Sequence, residues 1–81
     1  MEHRIDHSLD IRTTIYPLAL LKASHAFRAM KSGETMEIVL GDVDARQYLF
    51  KVLPASLCEL IEIREEETLC RILVKKRTQT S

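Results

Sequence analysis

Apolar residues recur along the chain at two spacings, and the switches between them divide it into six elements. In Ser8-Leu9-Asp10-Ile11-Arg12, Leu9 and Ile11 alternate with polar neighbours, the pattern of a short strand with one buried face. Thr13 to Ile15 form a turn. From Tyr16 to Lys31 the step changes to three and four: Leu20, Ala23, Phe27 and Met30, flanked by Ala19 and Ala26, predict a helix packed along one stripe. Pro17 suits its first turn, where a missing N–H costs nothing, and Ser32-Gly33 is expected to close it through a left-handed glycine. Met36, Ile38 and Leu40 alternate again, a second strand ended by Gly41-Asp42. Asp44, with Gln47 three residues on, reads as the cap of a second helix. Its expected buried stripe is Ala45, Leu49, Val52 and Leu53, with Tyr48 and Phe50 on the borders, and Pro54 ends it. Two strands follow, Cys58 to Arg64 and Leu69 to Lys76, joined by the charged tip Glu65-Glu66-Glu67.

The order β-α-β-α-β-β predicts an α/β two-layer sandwich, a four-stranded mixed sheet with both helices on one face. Residues 8–76 make one domain; the unpatterned 1–7 and the polar 77–81 are expected to be flexible. The 81 residues carry twelve acidic and twelve basic side chains, a net charge of zero. That removes the bulk electrostatic argument for nucleic acid or an anionic membrane as partner. No apolar run is long enough for a membrane span and the first residues are charged, so a cytoplasmic monomer is the default expectation.

Few residues offer chemistry. Cys58 and Cys70 lack metal-site spacing, and a short hairpin between them would not set them opposite each other, so they read as two free thiols. His3, His7 and His25 have no cysteine pair beside them, and no metal or cofactor is expected. The glutamates 65–67 belong to a solvated tip, not a cleft holding paired catalytic carboxylates. With Gly33 and Gly41 the only glycines, no phosphate-cradling loop can be built.

Leu9-Asp10-x-Arg12, Pro17, Leu21-Lys22-Ala23, Ala26, Met30-Lys31-x-Gly33-Glu34, Met36-Glu37-Ile38, Asp42, Glu59-Leu60-Ile61 and Ile72-x-Val74-Lys75 follow one another in a set order. That ordered set resembles the TusA/SirA-like sulfur-carrier family of small bacterial proteins. The resemblance implies the two-layer fold, and a cysteine before the first proline of a Cys-Pro-x-Pro motif. There it carries persulfide from a cysteine desulfurase towards acceptors such as the tRNA thiolation machinery. A thiolate at a helix N-terminus is stabilised by unpaired N–H groups and the helix dipole. This chain has Tyr16 at that position, and a phenol oxygen cannot form a persulfide. Ala19 replaces the second proline, and Thr13, Val43 and Leu57-Cys58 depart from the pattern as well.

The resemblance therefore implies a degenerate member that keeps the scaffold and has no catalytic residue at the family position. Its expected work is protein contact in a sulfur relay, with a desulfurase or a cysteine-bearing carrier as partner. The contact candidates are Tyr16, Pro17, Leu18, Leu21 and Lys22. Periodicity places Tyr16 on the stripe side of the helix, where it packs on the sheet edge, and Leu18 and Leu21 away from the stripe. Lys22, His25 and Arg28, with Arg46 and Lys51 of the second helix, would form either a solvated basic face or a rim for RNA. A sulfurtransferase that moved its thiol to Cys58 or Cys70 is the alternative from a different class.

Overall fold

The computed structural model describes residues 4–41 and 45–78. Its elements are β1 (His7–Asp10), α1 (Tyr16–Ala29), β2 (Thr35–Leu40), α2 (Ala45–Val52), β3 (Cys58–Glu65) and β4 (Cys70–Lys76). They form a four-stranded mixed sheet in the order β1-β2-β4-β3, under two helices: the expected two-layer sandwich. β1 runs parallel to β2, as the crossover through α1 requires, and β4 lies antiparallel to both β2 and β3.

Pairing register explains which side chains meet the helices. Met36 sits opposite Val74, Ile38 opposite Ile72 and Leu40 opposite Cys70, and all six are buried. Above them lie Ala19, Ala23, Phe27 and Met30 of α1 with Leu49 and Leu53 of the second helical segment. The helix stripe thus runs through Ala19, with Leu20 and Ala26 at its half-buried borders. Phe27, Met36, Ile38, Leu49, Ile72 and Val74 are almost wholly shielded, each contributing roughly 1.5–3 kcal/mol of burial free energy.

Among the described residues the other face of the sheet carries no helix, yet Val39 and Leu73 are buried on it. Arg71 spans this face, reaching Glu37 at 3.3 Å and Glu66 at 3.1 Å, so its stem and its partners roof the two apolar residues.

Several local expectations are corrected. Helix α1 stops at Ala29, with Met30 extended, and Gly33 does not cap it. Gly33 instead takes φ +89° inside the turn closed by the Glu34 N–H on the Lys31 carbonyl, where a positive φ favours glycine. The helix end is satisfied from outside: the Lys76 ammonium donates to the carbonyls of Phe27 (3.3 Å), Arg28 (3.1 Å) and Met30 (2.8 Å). Val52 is exposed, because α2 ends there and only Leu49 and Leu53 reach the core. The first strand starts at His7, and Asp6 is also tied down. Its carboxylate accepts from the Thr35 N–H (3.0 Å), and its own N–H donates to the Thr35 carbonyl (3.2 Å). Asp42 and Asp44, including the proposed cap of the second helix, lie outside the described residues, as does His3.

Candidate functional site

The first turn of α1 follows from three local facts. The β1 strand ends at Asp10, whose carboxylate folds back on Arg12: the Arg12 N–H donates to Oδ1 at 3.1 Å and the guanidinium Nη2 to Oδ2 at 2.7 Å. Those hydrogen bonds, with the charge of Arg12, hold the Asp10 pKa down to about 2. The Thr14 N–H then donates to the Ile11 carbonyl at 3.4 Å, closing the turn. Ile15 stands in the capping position, extended at φ −63° and ψ 148°, and supplies no side-chain bond to the helix. Pro17 follows in the first turn, where no acidic residue is present.

That leaves an apolar surface in water. Ile15 is 73% exposed, Leu21 55% and Leu18 44%, with Lys22 and Pro17 exposed beside them. Of the expected contact residues, Pro17, Leu18, Leu21 and Lys22 therefore all lie on the exposed surface at one helix end. Tyr16 opens the helix by its backbone; its side chain lies outside the described ones, and with it the expectation that the ring packs on the sheet edge. Sequence reasoning misses Ile15 because a single isoleucine in the turn ahead of Tyr16-Pro17 carries no periodic signal.

Beside this helix end a cleft of about 250 Å³ opens between the C-terminal ends of β1 and β2, lined by Ile11, Arg12, Thr14, Leu20, Leu40 and Gly41. Ala19 and Ala45 complete its walls, and their small side chains leave the space open.

The two thiols lie elsewhere. Cys70 is fully buried at the start of β4, beneath Arg46, and burial pushes its pKa up. Cys58 is half-buried at the start of β3, and burial raises its pKa too, against a smaller opposing pull from Arg77. In the hairpin Cys58 faces Lys76 and Cys70 faces Glu65, so the thiols occupy opposite ends. At each thiol burial outweighs the pull of the neighbouring arginine, Arg46 at Cys70 and Arg77 at Cys58, so the thiolate is disfavoured at both.

The basic rim does not assemble as expected. Arg46 turns to the sheet, where its Nη1 pairs with Glu65 Oε1 at 2.7 Å, and the Lys51 ammonium lies 5.3 Å from the Tyr48 ring centre. Lys22, His25 and Arg28 remain exposed on α1. His7 Nε2 lies 2.8 Å from Glu34 Oε1, which also accepts from the Lys31 N–H, and Glu34 is held below its ordinary pKa by these bonds. Among the described residues no group of three or more His, Cys, Asp or Glu could hold a metal ion. Among them, too, no helix is long and apolar enough to cross a membrane.

No protein-family model matches the chain, and no curated protein matches it. Among solved structures it is similar to the solution structure of HP1264 from Helicobacter pylori, with a TM-score of 0.69 and 15% sequence identity. The match covers 88% of this chain and 97% of that one. At that identity the likeness establishes a shared fold, a small α+β domain of the same architecture.

Proposed function

We propose that this chain is a non-catalytic relative of the sulfur carriers, a cytoplasmic protein that works by docking its α1 N-terminal surface onto a protein of a sulfur relay. The observation that carries the reading is an uncapped helix start with Ile15, Leu18 and Leu21 in water and no thiol beside it. Clustered exposed apolar side chains favour a protein partner, and their burial supplies the driving force. Lys22 and the positive end of the helix dipole favour an acidic rim around that partner's apolar centre. A cysteine desulfurase or a cysteine-bearing carrier is the proposed partner class, resting on the ordered sequence resemblance.

Two measurements test it. Binding to a desulfurase and to a cysteine-bearing carrier is measured by calorimetry for the native chain and for Leu18→Glu with Leu21→Glu. The paired change is expected to weaken binding by at least about tenfold, as expected when central contacts of an interface are lost, with the circular dichroism unchanged. The chain is then weighed after incubation with desulfurase and cysteine. No added sulfur is expected; a gain of one sulfur atom that Cys58→Ser or Cys70→Ser abolishes would replace this reading with that of a relocated sulfurtransferase.

A further inference from the structure

The free edge at β3 is self-complementary, and we propose that it pairs with the β3 of a second copy of this chain to form a two-fold dimer with one continuous eight-stranded sheet. β3 is the last strand of the sheet, so among the described residues no strand lies beside its outer backbone groups. The opposite edge, β1, is four residues long and carries His7 and Asp10, a poor template for pairing.

Side-chain direction along β3 makes the argument specific. A register shift between Leu60 and Glu62 marks a β-bulge. Leu60 faces Val74 and Ile63 faces Ile72, both buried partners, so these two lie on the helix side. Glu59 faces Lys75 and Arg64 faces Arg71, on the uncovered side. In a regular strand residues five apart point to opposite faces; the bulge is what brings Glu59 and Arg64 to the same one. The strand is thereby palindromic. An antiparallel copy related by a two-fold axis through the bulge sets each Leu60 opposite Ile63 of the second copy. Each Glu59 then falls opposite Arg64 of the second copy.

Two further observations favour that occupant. Arg64 stands directly opposite Arg71, an unfavourable cross-strand pair. Arg71 already has two carboxylates, whereas Arg64 has only Glu62 at 3.5 Å, and Glu59 forms no ion pair among the described residues. A second copy supplies Arg64 with a second carboxylate, and Glu59 with a guanidinium besides the Lys75 it faces. On the helix side, Leu60 is 46% exposed next to an open groove of about 210 Å³ formed with Phe50, Leu53, Ala55 and Cys58. Pairing of the edges covers it. This surface lies at the other edge of the sheet from β1, so the dimer does not depend on what binds at the start of α1.

Sedimentation equilibrium of the full chain from about 10 μM to about 1 mM, a range suited to a modest interface, tests the proposal. A reversible monomer–dimer equilibrium is expected. Leu60→Asp, at an exposed position, should leave the chain folded and monomeric throughout. Arg64→Glu should raise the dissociation constant by at least about tenfold, because two ion pairs become two like-charge contacts at once. Glu59→Arg combined with Arg64→Glu should bring it back to within a few-fold of the native value, since the swap restores both pairs across the axis. A native chain that stays monomeric over the whole range overturns the proposal. So does a dimer indifferent to Leu60→Asp, or a double variant no better than Arg64→Glu alone. If Leu60→Asp fails to fold, the charge-swap pair decides.

Discussion

At its C-terminal end α1 gives three carbonyl oxygens to the Lys76 ammonium, which also lies 5.5 Å from the Phe27 ring centre. At its N-terminal end Ile15 stands where a capping side chain would, and makes no such bond. One helix is thus fastened at one end and bare at the other. Fastening by Lys76 joins the last strand to the first helix, residues nearly fifty positions apart, and complements the negative end of the helix dipole. The bare end is where the exposed leucines sit. Stability is supplied at one pole of the helix, and the opposite pole is left as surface.

Breaking the fastened end should have the largest effect. Lys76→Met keeps much of the apolar stem but removes the charge-assisted bonds to the carbonyls, and should lower unfolding free energy by about 1.5–3 kcal/mol in urea titration. A loss indistinguishable from zero would mean that water serves those carbonyls equally well.

The bare end should respond in the opposite direction. Ile15→Asp places a capping carboxylate ahead of a helix that has none, beside the positive pole of its dipole. It should raise stability by about 0.5–2 kcal/mol while removing an exposed apolar contact. A higher melting temperature together with weaker partner binding would show that the missing cap belongs to the docking surface; a lower melting temperature would mean that Ile15 is needed for packing.

The smallest effect concerns the side-chain ion pair near the bare end, Asp10 with Arg12. Asp10 titrates at about 2 in the folded chain, below its ordinary 3.8, so the unfolded chain takes up its proton first as pH falls. The pair's contribution is therefore present above about pH 4 and is lost as the pH drops towards 2. Asp6, held low chiefly by the Thr35 N–H, and Glu34, held low chiefly by His7, add in the same direction. Asp10→Asn should flatten part of the acid limb of a urea-midpoint profile and leave the midpoint near neutral pH only slightly lower. An acid limb unchanged by the substitution would show the pair to be fully solvated.

Much of this was legible in the chain. Two alternating strands separated by a helical stripe specify a parallel crossover, and the stripe at Ala23, Phe27 and Met30 lies where periodicity put it. What the periodicity could not reveal depends on partners distant in sequence. Gly33, a local signal, points to the wrong helix end, because nothing near Met30 announces that Lys76 arrives from the last strand. Arg46 looks like part of an outer basic face until the position of Glu65 is known. The bulge at Leu60–Glu62 was hidden as well, since Leu60, Ile61 and Ile63 read equally as an ordinary half-buried strand. At the candidate site the exposed leucines were readable from their place off the stripe. The adjoining cleft was not, because its walls come from four separate segments.

The arginine-roofed face of the sheet has a consequence for how the chain opens. With principal extents of 39 × 31 × 17 Å, the molecule is a plate whose core has helices on one side and, on the outer face of the sheet, Arg71 with its two ion pairs. Added salt screens those pairs from outside. Amide protons of β2 and β4 should then exchange faster in concentrated salt, and Arg71→Met should remove that dependence, so that the plate loosens at its floor.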